Sequence, residues 1–346
     1  MSYQPLVSVV INNFNYANFI SEAIDSAISQ TYPLVEVIVV DDGSTDNSLD
    51  IINSYGEQVI CVKKPNGGQA SSINAGVAAS KGDIICFLDS DDVFYPNKVA
   101  EIVRIFTQAT LKTPDVLLSN FFEVIDRDQA PIKIDVVEQL LFAPGEWKFL
   151  PKLNHQTKFF NGDLNQVANS EQVYQFANKY RFIPYLGVPT SSLSISRTLA
   201  NKVFPILFEE GIKSSADVFF VKAASLLGTT YSTDKTLTKY RLHGNNLWFG
   251  QKDNKAIQTQ INFFAQLDQY LNFKLVQANK QPCFSYMNSI VAKSYYVGFL
   301  GIKSADQIFQ LAFKVIRWRI DQTTALFFIK TIVLSTWFKL KQKLPA

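Results

Sequence analysis

The sequence is short of sulfur, of histidine and of charge. Three cysteines, two histidines and two methionines occur in 346 residues. Cys61, Cys86 and Cys283 are odd in number, far apart and set in apolar runs, which argues against a disulfide framework or a zinc site and fits a reducing compartment. Charged residues make up only 18%, against 47% apolar and 13% aromatic. That balance excludes a largely disordered chain and promises a substantial core. No apolar run reaches the roughly 18 uninterrupted residues of a membrane-spanning helix; "ALFFIKTIVLSTWF" (325–338) is broken by Lys330. The opening "MSYQPLVSVV" has no basic stretch or cleavage-like site, so the expectation is a cytoplasmic chain that starts directly on a strand.

The net charge of +3 is unevenly placed, because seven bases face the single acid Asp321 between Leu311 and Ala346. Seven minus one leaves that segment at about +6 and the remainder at about −3. A globally basic nucleic-acid binder is thereby excluded. Attraction to an anionic surface, such as the inner face of a membrane, is confined to the C-terminus.

Within the first 120 residues, short β-branched runs alternate with helical patterns. "LVSVVI" (6–11), "VEVIVV" (35–40), "QVICVK" (58–63), "DIICFL" (83–88) and "DVLLS" (115–119) read as strands buried on both faces. Between them, Ile20, Ala23, Ile24, Ala27 and Ile28 form one helical stripe, and "TDNSLDIINSYG" opens on capping residues. Pro96 suits a first helical position. This rhythm implies parallel strands with right-handed crossovers, an α/β doubly wound sheet whose ligands sit beyond the strands' carboxyl ends. Those ends carry Asn12 and Asn13, Asp41 and Asp42, Lys64 to Gly68, and Asp89 to Asp92. From 121 to 180 the pattern weakens to loops and short helices. "SSLSIS" (191–196) and "KTLTKYRLHGNN" (235–246) are strand-like, "ADVFFVKAASLLG" (216–228) is helical, and helices are expected after about 250.

"FLDSDD" sets Asp89, Asp91 and Asp92 at a strand end. A bound divalent cation, magnesium or manganese, would reconcile such like charges and hold a diphosphate; an isolated D-x-D is more often an acidic, helix-capping turn. In "VVDDGSTDNS", Asp41 and Asp42 can accept from a base imide or a ribose hydroxyl, Gly43 permits a tight turn, and Asp46 suits the turn itself. "KPNGGQASSINAG" places Gly67 and Gly68 where backbone can approach a ligand just before a helix.

Taken in order, "FNYANFISEAIDSAISQTYPLVEVIVVDDGSTDNS", "NGG", "INAG" and "FLDSDD" resemble the family 2 glycosyltransferases of GT-A fold, over roughly the first 100 residues. The resemblance implies a Rossmann-like, mostly parallel sheet flanked by helices, with a nucleotide-sugar half (1–120) and an acceptor half that carries the catalytic base (121–250). The C-terminal region (251–346) falls outside the resemblance, and its own sequence pattern reads as a helical extension. Carried over residue by residue, it puts Asp41 on the nucleotide base, with Asn12 and Asn13 lining the pocket and Gly67 and Gly68 beside the donor. Asp89 and Asp91 become the D-x-D, with Asp91 the chief metal ligand, and Asp92 supports it or meets the sugar.

The family's later Glu-Asp motif is matched by Ala216-Asp217, so the first acid is missing and Asp217 stands as the base; Glu209 and Glu210 lie too early. "YRLHGNN" matches a closing segment in which His243 can join the metal or diphosphate, whereas His155 falls on no motif. The implied reaction is an inverting transfer from a nucleoside diphosphate sugar to a glycan or lipid-linked acceptor, uridine against thymidine left open. A sugar-nucleotide hydrolase or nucleotidyltransferase, and a non-catalytic binding module, are the competing readings. In "ADQIFQLAFKVIRWRID" a polar stripe from Gln307 to Asp321 leaves a broad apolar face. With the basic tail, that face can lie on a membrane or pack on the catalytic domain or a second subunit.

Overall fold

The computed structural model describes residues 4–107, 111, 113–126, 129–134, 164–180, 183, 189–207, 215–243 and 257–284. His155, Glu209, Glu210 and the basic, amphipathic segment 305–346 lie outside them.

Strands β1 (Val7–Asn13), β2 (Val35–Asp41), β3 (Ile60–Lys63) and β4 (Ile84–Asp89) run parallel in the order β3-β2-β1-β4. Both faces of β1 and β4 are covered, which is why their sequences read as continuous rather than alternating apolar runs. Val9, Ile11, Cys86 and Leu88 pack on one side with helices α1 (Ile20–Ile28) and α4 (Lys98–Phe106), joined by Ile24 and Ile102. Val10, Ile85 and Phe87 face the other side, where Ile73 of α3 (Gln69–Ala79) and Phe220 of α7 (Ala216–Leu227) meet them. Helix α2 (Ser48–Ser54) links β2 to β3. Helix α4 starts at Lys98 behind Asn97, so Pro96 precedes the helix instead of opening it; its carbonyl accepts from the Thr31 amide at 2.9 Å.

Beyond β4 the sheet becomes mixed. Strand β9 (Leu193–Ser196) is wedged antiparallel between β4 and β6 (Val116–Asp126), and β10 (Thr229–Leu242) lies parallel to β6 with irregular register between Thr233 and Thr238. The two-residue β5 (Val93–Phe94) closes the edge against β10. Where the sequence pattern suggested loops and short helices after 120, β6 instead continues through "FFEVID". It takes β7 (Gln129–Ile134) as a partner, while β8 (Asn165–Ala168) joins β10 and α5 (Ser170–Tyr180) follows. Pairing to neighbours distant in sequence decides those strands, a constraint that local pattern does not carry. Helix α6 (Arg197–Val203) follows β9, and α8 (Ile257–Gln277) accounts for the described part of the C-terminal region. Among the described residues no helix is long and apolar enough to cross a membrane.

Candidate active site

Strand register alone assembles much of the site. Asn13 stands beside Asp41, Asp41 beside Lys63, and Asn12 beside Asp89, so polar residues far apart in sequence share one edge.

At the ends of β1 and β2, Asp41 is fully buried. Its Oδ1 accepts from Asn13 Nδ2 at 3.1 Å and its Oδ2 from the Ser44 amide at 3.1 Å, while the same Asn13 nitrogen donates to Ser44 Oγ at 3.1 Å. Gly43, at φ +74°, has no room for a side chain: a Cβ there would sit 2.9 Å from the Asn66 amide nitrogen. Asp42 is 2% exposed. It pairs with Lys64 and accepts from the amides of Gly67 (3.0 Å) and Gly68 (2.7 Å). Those two amides are thus engaged inside the protein, and the loop 64–68 is held against β2. Asp46 accepts from the amides of Ala17 and Ser48, both at 3.0 Å. Desolvation alone would raise its carboxyl, but hydrogen bonds from the Ser48 hydroxyl and from backbone amides, those of Ala17 and Ser48 among them, outweigh it and hold the group below the usual carboxylate range.

The acidic cluster lies at the end of β4. Burial pushes the Asp89 carboxyl up to about 7, helped by the charges of Asp91 and Asp217 and opposed by hydrogen bonds from Asn12 and Gln69. Desolvation, with the charges of Asp91 and Asp89, holds Asp92 well above the ordinary value as well. Asp91 Oδ2 lies 2.8 Å from His243 Nε2. The end of β10 clasps this turn: the Arg241 amide donates to Asp92 Oδ1 and its Nε to the Asp91 carbonyl, each at 3.0 Å. Asp92 Oδ2, Asn12 Oδ1 and Asn13 Oδ1 are buried acceptors without a hydrogen-bond donor among the described residues. Such oxygens are costly unless a ligand or ion meets them.

An aromatic wall completes the site. The His243 ring stacks on Phe19, with centroids 4.9 Å apart, and meets the edge of Tyr16 at 5.6 Å. Arg241 lies over the same Phe19 and pairs with Glu22. The Tyr16 phenol is raised above its ordinary value, by burial first and then by the charges of Asp91, Asp89 and Asp92. Behind the cluster Ser191 Oγ accepts from the Asp89 amide at 2.9 Å, and its carbonyl accepts from the buried Lys98 Nζ at 2.6 Å. Burial pushes that amine down to about 7.

Asp217 is the second residue of α7 and its charge acts on Asp89. Asn12, Asn13, Asp41, Asp89, Asp91, Asp92, Asp217 and His243 are therefore brought to one region, with Gly67 and Gly68 tethered beside it through Asp42. Sequence reasoning missed Tyr16, Phe19, Gln69, Ser191 and Arg241. Tyr16, Phe19 and Arg241 lay inside the motifs that carried the resemblance; Ser191 gave no signal. Among the described residues no three His, Cys, Asp or Glu side chains converge into a metal centre on their own.

The model of glycosyl transferase family 2 matches residues 8–133, and an uncharacterized glycosyltransferase of Nostoc sp. is 34% identical over 246 residues, 69% of this chain and 66% of that one. The chain belongs to glycosyl transferase family 2. Another similar protein is the chondroitin synthase of Pasteurella multocida, 47% identical over 105 residues. The chain spans 66% of the Nostoc relative's length, and that second match covers 30% of this chain and 11% of the synthase. Staphylococcus aureus TarS residues 1–349 share the GT-A fold with a TM-score of 0.54 at 17% identity, over 94% of this chain and 80% of that one. TarS has been solved with UDP and with UDP-GlcNAc. The family 2 match ends at residue 133, so Asp217 and His243 lie beyond it.

Proposed function

We propose that the protein transfers a sugar, with inversion, from a UDP-linked donor to a hydroxyl of a growing glycan or lipid-linked acceptor. The observation that carries this reading is the meeting of a partly buried carboxylate cluster, Asp89, Asp91 and Asp92, with a carboxylate from a different part of the chain, Asp217, whose charge acts on Asp89. Like charges gathered in a desolvated cleft are costly to folding and cluster where chemistry uses them. The TarS complexes with UDP and UDP-GlcNAc support a uridine donor.

In this reading the nucleotide lies along the ends of β1 and β2. Asp41, held in place by Asn13 and Ser44, accepts from the base, and Asn12 and Asn13 line the pocket. Gly67 and Gly68 flank the donor with their chain atoms, their amides being spent on Asp42. A divalent cation fits Asp91 and His243, with Asp89 adjoining. A hard cation that takes one or two protein ligands, and the rest from diphosphate and water, asks for no larger protein cage. When bound, it supplies positive charge to the diphosphate. Asp217 accepts the proton of the acceptor hydroxyl as its oxygen bonds to the anomeric carbon, the bond from that carbon to the diphosphate oxygen breaks, and the nucleoside diphosphate departs. Asp92 holds the β10 clasp through Arg241 and faces the sugar.

The test is a panel of UDP-, TDP- and GDP-sugars incubated with the protein and manganese, scored for nucleoside diphosphate release. Release from a UDP-sugar, abolished by chelation, is expected. No release from any donor, with or without glycan acceptors, overturns the proposal.

A further inference from the structure

Gln69 spans the site. It is the first residue of α3, and its side-chain amide uses both ends: Nε2 donates to Asp89 Oδ1 at 3.3 Å, and Oε1 accepts from the Ala216 amide at 3.1 Å, 147 residues away in the chain. Ala216 opens the helix on which Asp217 is the next residue. The first amides of a helix have no partner within it and call for a cap. Ser215, in the N-cap position, makes no side-chain cap and sits in the left-handed region at φ +65°, a conformation that a non-glycine residue holds only when its surroundings impose it. The cap for Ala216 is thus delivered from the neighbouring helix α3, by a side chain whose other end rests on Asp89.

Gln69 is itself held. Its helix is preceded by Gly68, at φ +83°, whose amide is fixed by Asp42, and the Ser72 amide donates to the Gly68 carbonyl at 3.1 Å. One amide side chain of fixed length therefore joins Asp89 to the helix bearing Asp217.

We propose that Gln69 is a positioning residue for transfer: it sets the spacing between Asp89 and the start of α7, and so the reach of Asp217 to the acceptor hydroxyl. This rests on the transferase reading and adds to it a residue that does not touch the reacting atoms. A clip of this kind acts on the geometry of attack and leaves donor affinity nearly alone.

The test uses Gln69→Met, which keeps the length and loses both polar ends, with Gln69→Glu as a second variant that retains the acceptor for Ala216 alone. Hydrogen exchange of the peptide containing Ala216 to Phe219 is followed by mass spectrometry, and UDP release from UDP-N-acetylglucosamine with manganese is followed in parallel. In Gln69→Met, exchange at the start of α7 should quicken several-fold and kcat should fall by about ten- to 100-fold, while KM for the donor stays within about threefold. Gln69→Glu should keep the slow exchange. In an Asp217→Asn background, Gln69→Met should cost no further rate, because the group it positions is already disabled. Unchanged exchange overturns the clip. Quickened exchange at full rate, or a full additional loss in the Asp217→Asn background, overturns its catalytic consequence. Wild-type protein that releases no UDP from any donor overturns the transferase reading instead, with exchange still deciding the clip.

Discussion

The imidazole of His243 touches Asp91 at 2.8 Å and lies stacked on Phe19, so a residue that follows β10 and one from the turn after β4 form a single contact pair braced by the residue that precedes α1. Asp91→Ala and His243→Ala should each weaken UDP binding in manganese by about tenfold or more, and by little in chelator, as titration calorimetry would show. Equal UDP affinity with and without manganese in the parent protein would remove the basis for assigning these two side chains to a cation.

Asp217→Asn conserves shape and removes basicity. Transfer should drop by about 100- to 10,000-fold, while UDP affinity stays within about threefold. An Asp217→Asn variant that transfers at the parent rate would take the base assignment away from this helix.

The acidic cluster gives the free protein a pH signature. Asp89 binds its proton up to about 7 when folded, against 3.8 as an ordinary aspartate. Between those values the folded chain holds more protons than the unfolded one, so stability should fall as pH rises from about 4 to about 7. Asp92 acts in the same sense. Lys98, depressed to about 7 from 10.5, works the other way only above that range. Thermal midpoints in chelator should follow this fall, and Asp89→Asn should flatten it; a midpoint that climbs steadily from pH 5 to 7 in both proteins would contradict the burial of these carboxyls.

Helix α3 lies on the sheet at Gly76, where a Cβ would come 2.3 Å from Val10 Cγ1 and 3.2 Å from Val40 Cγ2. Gly76→Ala should cost about 1 to 3 kcal/mol by overpacking, since neither valine has a flexible end to yield. Chemical denaturation would measure it, and a stability unchanged or raised would mean that α3 can lift from the sheet without penalty.

Much of this molecule was legible in its sequence where structure is local. The runs at 35–40 and 83–88 became β2 and β4 with boundaries within a residue or so, because strands covered on both faces have no polar alternation to confuse them. Asn12, Asn13, Asp41 and Asp89 were found because strand ends in such sheets point to one edge. The cross-chain contacts were not legible. Nothing near Gln69 announces Ala216, and nothing in "YRLHGNN" says that Arg241 clasps the Asp91–Asp92 turn while its guanidinium covers Phe19. Strand β9 was legible as the strand-like run "SSLSIS", but its antiparallel place between β4 and β6 was not, since direction is a property of the partners and not of the run.

Asp42 leaves one more consequence. By pairing with Lys64 and taking both glycine amides, it shapes the 64–68 loop from within. The freedom of those backbone bonds is surrendered when the chain folds, so the nucleotide of the proposed donor would meet a finished wall and owe no entropy for building it.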